Sequence, residues 1–225
     1  MKYELVIFDL DGTLLNTIKD LGTAVNHALA LRGLPLHDMD EYKGMVGHGI
    51  KDLVTKALPQ ELRADSEYLD SALKDFRAYY TSHIDVYTRP YEGITELLVH
   101  LYKAGIRLAV ASNKFQEGTE HLVKRFFPDV GFVEIAGNRE GAPLKPDPAI
   151  VENAVRSAQC LKGKTILAGD SRTDILTAVN GGVDVVAVTW GFRPKEDLAA
   201  ALSELSPDGK IADTVDQLRN VLTGE

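Results

Sequence analysis

Cysteine is almost missing from this chain, and long apolar runs are missing altogether. Cys160 is the single cysteine in 225 residues, which excludes an internal disulfide framework and suits a reducing compartment. No stretch reaches the length of continuous apolar sequence that a membrane-crossing helix needs. Basic residues are in deficit, 25 against 33 acids, for a net charge of -8. That balance argues against nucleic acid or an anionic membrane as partner, while leaving room for a local positive pocket. No compositional linker or internal repeat calls for a third domain. The opening Met1-Lys2-Tyr3-Glu4 meets an acid too early for a secretory peptide. A cytoplasmic protein is the expectation.

What the chain does have is 44% hydrophobic residues, enough for one substantial core with a smaller appendage. Its most informative stretch is Glu4-Leu5-Val6-Ile7-Phe8-Asp9-Leu10-Asp11-Gly12-Thr13-Leu14. An apolar run of this length suits a buried strand, and the two acids fall where its carboxyl end meets solvent. Asp9 and Asp11 are two residues apart, so in an extended chain they share one side. Carboxylates that close need a cation or a shared proton. An arbitrary Asp-x-Asp is more often just an acidic turn.

Beyond this stretch the rhythm becomes helical. Ile18, Leu21, Ala24, Val25, Ala28 and Leu29 recur at helical spacing, and Gly33-Leu34-Pro35 supplies a stop. Further helices are expected over 50–58 and 64–83, with no strand between them. The second half alternates. Strands are expected over 106–111, 132–136, 165–169 and 183–188, the last clear core strand. Helices are expected through Ile94 to Leu101 and over 119–126, 148–158, 174–180, 196–205 and 215–222. Such alternation predicts an α/β fold, a mostly parallel sheet with helices on both faces.

Four polar clusters fall at strand ends: Asp9/Asp11, Ser112-Asn113-Lys114, Lys145 and Gly169-Asp170-Ser171-Arg172-Thr173-Asp174. Open α/β sheets build sites at that edge. Each cluster alone has a bland explanation: Ser112 and the later acids as helix caps, Lys145 as a loop charge. Their order is harder to dismiss. Together they resemble the four motifs of the haloacid dehalogenase superfamily of phosphohydrolases, and the resemblance covers essentially the whole chain.

That resemblance implies a Rossmann-like core, residues 1–15 and 88–225, with an α-helical cap inserted over 16–87. It implies Asp9 as nucleophile, forming an aspartyl-phosphate intermediate, and Asp11 as general acid and base. It implies Mg2+ as cofactor, held by Asp9, the Asp11 backbone carbonyl and Asp170, with Asp174 in support. Ser112, the Asn113 backbone N–H and Lys145 would bind phosphate. Arg172 carries no role in the family pattern and reads as a solvated charge, Thr173 as local helix support.

The cap should select the substrate. Gly44-Met45-Val46-Gly47-His48-Gly49-Ile50 resembles the phosphoglycolate phosphatase group, which makes 2-phosphoglycolate the first candidate among small phosphorylated metabolites. His48, Lys51 and Arg89 are the candidate selecting residues, each with a plain surface role as the alternative. Trp190 and Phe192 are expected to pack loops. A sugar-phosphate mutase of the beta-phosphoglucomutase type is the runner-up, disfavoured by the lack of a cap phosphate clamp. An inert phosphate-binding module is the alternative of another class. Asp11 disfavours a haloalkanoic-acid dehalogenase. Monomer and homodimer both stay open, because an apolar helix face buries within one chain or between two.

Overall fold

The first strand, β1 (Leu5–Phe8), is wholly buried and serves two cores at once. Leu5 and Ile7 belong to one apolar layer and Val6 and Phe8 to the other, as alternation along a strand requires. The computed structural model describes residues 2–224, so residues 1 and 225 of the expected core lie outside it.

In chain order β1 is followed by β2 (Leu15–Asn16), the helices α1 (Ile18–Ala30), α2 (Met39–Met45), α3 (Ile50–Ala57) and α4 (Ser66–His83), and the return strand β3 (Arg89–Pro90). The second half then runs α5 (Ile94–Lys103), β4 (Arg107–Phe115), α6 (Gln116–Phe126), β5 (Phe132–Asn138), α7 (Ala149–Ala158) and β6 (Thr165–Gly169). It closes with α8 (Arg172–Gly181), β7 (Asp184–Val188), α9 (Lys195–Leu205), β8 (Lys210–Ala212) and α10 (Val215–Thr223).

Six strands pair in the order β5-β4-β1-β6-β7-β8, every neighbouring pair parallel. Apolar residues of α5, α6 and α10 cover one face with Val6 and Phe8. Those of α7, α8 and α9 cover the other with Leu5 and Ile7. With β1 central, the chain leaves for β4 on one side and β6 on the other, and the carboxyl edge at that divide is where ligands bind in such sheets.

The helices from Ile18 to His83 form the cap. Their apolar stripes, among them Leu21, Val25 and Leu29 on α1 and Leu69, Ala72 and Phe76 on α4, join the same buried cluster as the Val6/Phe8 face. The β2–β3 ribbon pairs Leu15 with Pro90 and Asn16 with Arg89, so the chain enters and leaves the cap through one narrow waist. Asp20, buried near the start of α1, fastens that waist. It accepts Tyr87 N–H at 3.0 Å, Thr88 N–H at 2.8 Å and the Thr88 hydroxyl at 2.7 Å.

Several expectations need correction. Beyond the strand at 183–188, β8 adds an edge strand that was not expected, too short at three residues to give a periodic signal. The strand expected over 106–111 continues to Phe115 with a register shift between Ala111 and Phe115, so Ser112, Asn113 and Lys114 lie within the irregular strand end. Helix α8 begins before 174, because Ser171 caps it and Asp174 returns the bond to the Ser171 N–H. Helix α2 had no counterpart in the periodicity; its Asp38/Glu41 capping box carries the only local signal.

Candidate active site

Asp9 follows directly on β1, and its N–H extends the ladder to Ala168 O at 2.9 Å. The chain then turns at Gly12, whose φ of +93° suits a residue without a side chain. A Cβ at Gly12 or at Gly191 would overlap the Asp170 carboxylate. These two glycines let the loops after β1 and β7 close on Asp170. Phe192 N–H donates to Asp170 Oδ2 at 2.7 Å from the same loop.

Lys145 reaches into this group from the loop before α7. Its Nζ is 2.7 Å from Asp9 Oδ1 and 2.6 Å from Asp174 Oδ1. Asp174 Oδ2 meanwhile accepts the Ser171 N–H and hydroxyl, which fixes the carboxylate that orients the ammonium. Carboxylate oxygens of Asp9, Asp170 and Asp174 all lie within 4.8 Å of one another. All three acids and Lys145 are buried.

The electrostatics follow from that crowding. Burial raises the Asp9 carboxyl well above the ordinary range; Lys145 opposes the rise, and Asp174 and Asp170 add to it. Burial and Asp174 push Asp170 up to about 7. Burial alone would lower the Lys145 ammonium, but Asp174 and Asp9 outweigh it and the net shift is upward. Three buried carboxyl groups face one buried ammonium, so their full ionisation needs further positive charge. An all-oxygen donor set with that deficit fits a hard divalent cation of the Mg2+ type.

The Asp11 side chain stands apart from the three-acid group. Its two oxygens are 3.0 and 3.1 Å from the Nζ of Lys114, a fully buried ammonium that also lies 4.9 Å from the centre of the Tyr80 ring of α4. Sequence reasoning placed Lys114 in a polar cluster but gave it no role, because a lysine at a strand end reads as a solvent charge. Ser112 is buried, and its Oγ accepts the Lys114 N–H at 3.2 Å. The Asn113 side chain, also left without a role, pairs with the Lys145 backbone on both sides: Lys145 N–H to Oδ1 at 2.8 Å, Nδ2 to Lys145 O at 3.1 Å.

These groups line the floor of a cavity of ≈ 40 Å³, whose roof is the cap: Leu21, Val46, Gly47, Gly49, Ile50 and Leu53. His48, Lys51 and Arg89 are exposed and are not among the lining residues. His48 Nε2 is 3.3 Å from the Thr173 hydroxyl, and the Arg89 guanidinium folds back on the Thr88 carbonyl at 2.6 Å. Arg172 forms a two-bond pair with Glu204 on the surface, at 2.8 and 2.7 Å. Trp190 donates to Thr13 O at 3.1 Å and packs against the apolar cluster, as Phe192 does. Arg193 lines the cavity too, and no feature of the sequence had marked it.

Comparison with known proteins agrees with this geometry. A phosphoglycolate phosphatase of Mesorhizobium japonicum is 36% identical over 196 residues, 87% of this chain and 86% of that protein. One from Agrobacterium fabrum is 33% identical, with 93% and 88% covered. A crystal structure from Lactobacillus delbrueckii subsp. bulgaricus, of a protein provisionally assigned as a phosphoglycolate phosphatase, superposes with a TM-score of 0.90 at 31% identity over 100% of both chains. The profile of the haloacid dehalogenase-like hydrolases matches residues 6–188. With four polar clusters gathered at one sheet edge beneath a helical cap, the chain belongs to the haloacid dehalogenase-like hydrolases, close to their phosphoglycolate-phosphatase-like branch.

Proposed function

We propose that the protein is a Mg2+-dependent phosphatase of small phosphomonoesters, with 2-phosphoglycolate as the first substrate to test. One observation carries the reading: Lys145 binds Asp9 and Asp174 at once, beside Asp170, on the floor of a cavity roofed by apolar residues. Lys145 opposes the upward shift that burial gives the Asp9 carboxyl and holds it facing the enclosed cavity, as a nucleophile requires. The names of the relatives support the choice of substrate.

Asp9 attacks phosphorus, the bond from phosphorus to the ester oxygen breaks, and the departing alcohol takes a proton from Asp11. Water then attacks the aspartyl phosphate and gives its proton to Asp11, which releases phosphate and restores Asp9. The Ser112 hydroxyl, the Asn113 backbone N–H and the Lys145 ammonium hold the phosphoryl oxygens as charge shifts. Asp9, the Asp11 backbone carbonyl and Asp170 would hold Mg2+, which when bound offsets the charge of phosphate and carboxylates. Lys114 sets where the Asp11 carboxylate sits, and Asp174 orients Lys145. His48, Lys51 and Arg89 stay as candidates for contact with substrate.

The cap side of the cavity favours hydrolysis over mutase chemistry. Its lining is apolar or glycine, with no cationic side chain to clamp a second phosphate. The test is a substrate screen of protein stripped by chelation and resupplied with Mg2+: 2-phosphoglycolate, sugar phosphates, nucleotides and pyrophosphate. Mg2+-dependent phosphate release, greatest for 2-phosphoglycolate, is expected. Metal-independent release overturns the cofactor, and preference for another ester overturns the substrate. With beta-glucose 1-phosphate and a trace of bisphosphate, isomerisation without phosphate release would establish the mutase instead.

A further inference from the structure

We propose that the core senses cap closure through two side chains, Asn113 and Arg193, each joining a cap backbone carbonyl to a catalytic group of the core. They are positioning residues, and the proposal rests on the phosphohydrolase reading. Asn113 is 6% exposed and has every hydrogen-bonding position of its amide but one lone pair in use. Oδ1 accepts the Lys145 N–H at 2.8 Å, and the two Nδ2 hydrogens go to Lys145 O at 3.1 Å and to Gly47 O of the cap at 2.9 Å. The amide therefore grips the backbone of the residue whose ammonium holds Asp9, and grips the cap with the hydrogen left over.

Arg193 repeats the arrangement on the other side of the site. The N–H of its neighbour Phe192 holds Asp170, and its own guanidinium donates to the carbonyls of Lys43 and Val46. Both carbonyls lie at the carboxyl end of α2, where a helix leaves carbonyls without partners. A cation there also meets the negative end of the helix dipole. The three cap carbonyls fall within the five residues 43–47, so one short segment touches both core loops.

Opening the cap removes the Gly47 bond from Asn113 and both carbonyls from Arg193. Lys145 and Asp170 then lose the outer anchor of the loops that aim them. Shutting the cap restores both loops together, so attack by Asp9 is organised only once bulk water is excluded.

The test uses Asn113→Ala and Arg193→Met, singly and combined, with Asn113→Ser and Arg193→Lys as milder changes should either fold poorly. Two readouts follow closure without turnover, in Mg2+ plus inorganic phosphate: protease protection of residues 39–57, and the emission of Trp190, the chain's one tryptophan, in the Arg193 loop. A third is kcat and KM with p-nitrophenyl phosphate. Each single change should lose most of the protection and lower kcat about tenfold or more, with a smaller change in KM. The double variant should be little worse than either single one, because both act through one closed state. Arg193→Lys, which keeps the charge, should recover part of the loss. Losses that multiply in the double variant, normal protection with normal kcat in the singles, or a wild-type protein that does not respond to phosphate would each overturn the proposal. If the wild type is protected but hydrolyses no phosphomonoester, the hydrolase reading fails, and the protection of the variants still decides the latch.

Discussion

The buried charge around the cavity belongs to one half of this molecule. Asp9, Lys114, Lys145, Asp170 and Asp174 are each no more than 7% exposed, and all five come from the core. The cap supplies the same cavity with Leu21, Val46, Ile50, Leu53 and two glycines, and gives backbone carbonyls to Asn113 and Arg193 of the core. The core holds reactive groups that must be desolvated and aimed, which takes rigid strand ends and paired charges. The cap has to enclose and release a ligand, so it works through shape and through bonds that can break without stranding a charge. Under the proposed function, chemistry and selection fall to regions with different physics.

The sharpest attack on this division is at Asp9 and Asp11. Asp9→Asn removes the anionic nucleophile at nearly constant size and should abolish both turnover and the covalent intermediate. Asp11→Asn should leave attack in place while losing general acid–base assistance, a fall of about 10²–10⁴ in kcat. Rapid quench with labelled substrate, on variants first shown to fold and bind Mg2+, separates the two. Label on a histidine, or near-normal turnover by Asp9→Asn, would remove the core's claim to the chemistry.

A second test strikes the waist between the regions. Asp20→Ala leaves the Tyr87 and Thr88 donors without their acceptor in a buried place. The expected cost is about 2–4 kcal/mol in denaturant melts. Hydrolysis per folded molecule should change far less than in the Asp9 and Asp11 variants.

The cap roof should answer to size alone. Leu53→Ala enlarges the cavity where no polar group is lost, so selectivity should move toward bulkier esters by about 10- to 100-fold in relative kcat/KM. Sites of this kind respond to a few methylenes by that much. An equal loss for every ester would instead place Leu53 in general support of the cap.

The smallest effect is in stability against pH. Asp170, raised to about 7 by burial and Asp174, keeps a proton in the folded chain that the unfolded chain releases near pH 4. Between those values the folded state binds more protons, so stability falls as pH rises and returns on acidification. Ion-free protein should melt a few degrees lower at pH 7.5 than near pH 5.5, and Mg2+ at pH 7.5 should reverse the loss. No reversal by Mg2+ would count against the three-acid site.

Much of the core was legible because its signals are local. A buried strand, the acids two residues apart at its end and the glycine that turns the chain all lie within Glu4–Leu14. The cap was legible as helices but not as a surface, since periodicity says which side of α3 is apolar and not what that side covers. Short elements such as β8 and α2 escaped for want of a full period.

By itself the sequence determined the order of the reactive groups and the alternation that builds a parallel sheet, because both depend on spacing along the chain. Tertiary structure alone decided the partners. Lys114 meets Asp11 across 103 residues, Asn113 meets Lys145 across 32 and Gly47 across 66, and Arg193 meets Val46 across 147. A strand end fixes where a side chain starts; what it touches depends on which loops the strand order brings to the same edge. A buried lysine therefore reads the same in sequence as a solvated one until the acid opposite it is in place.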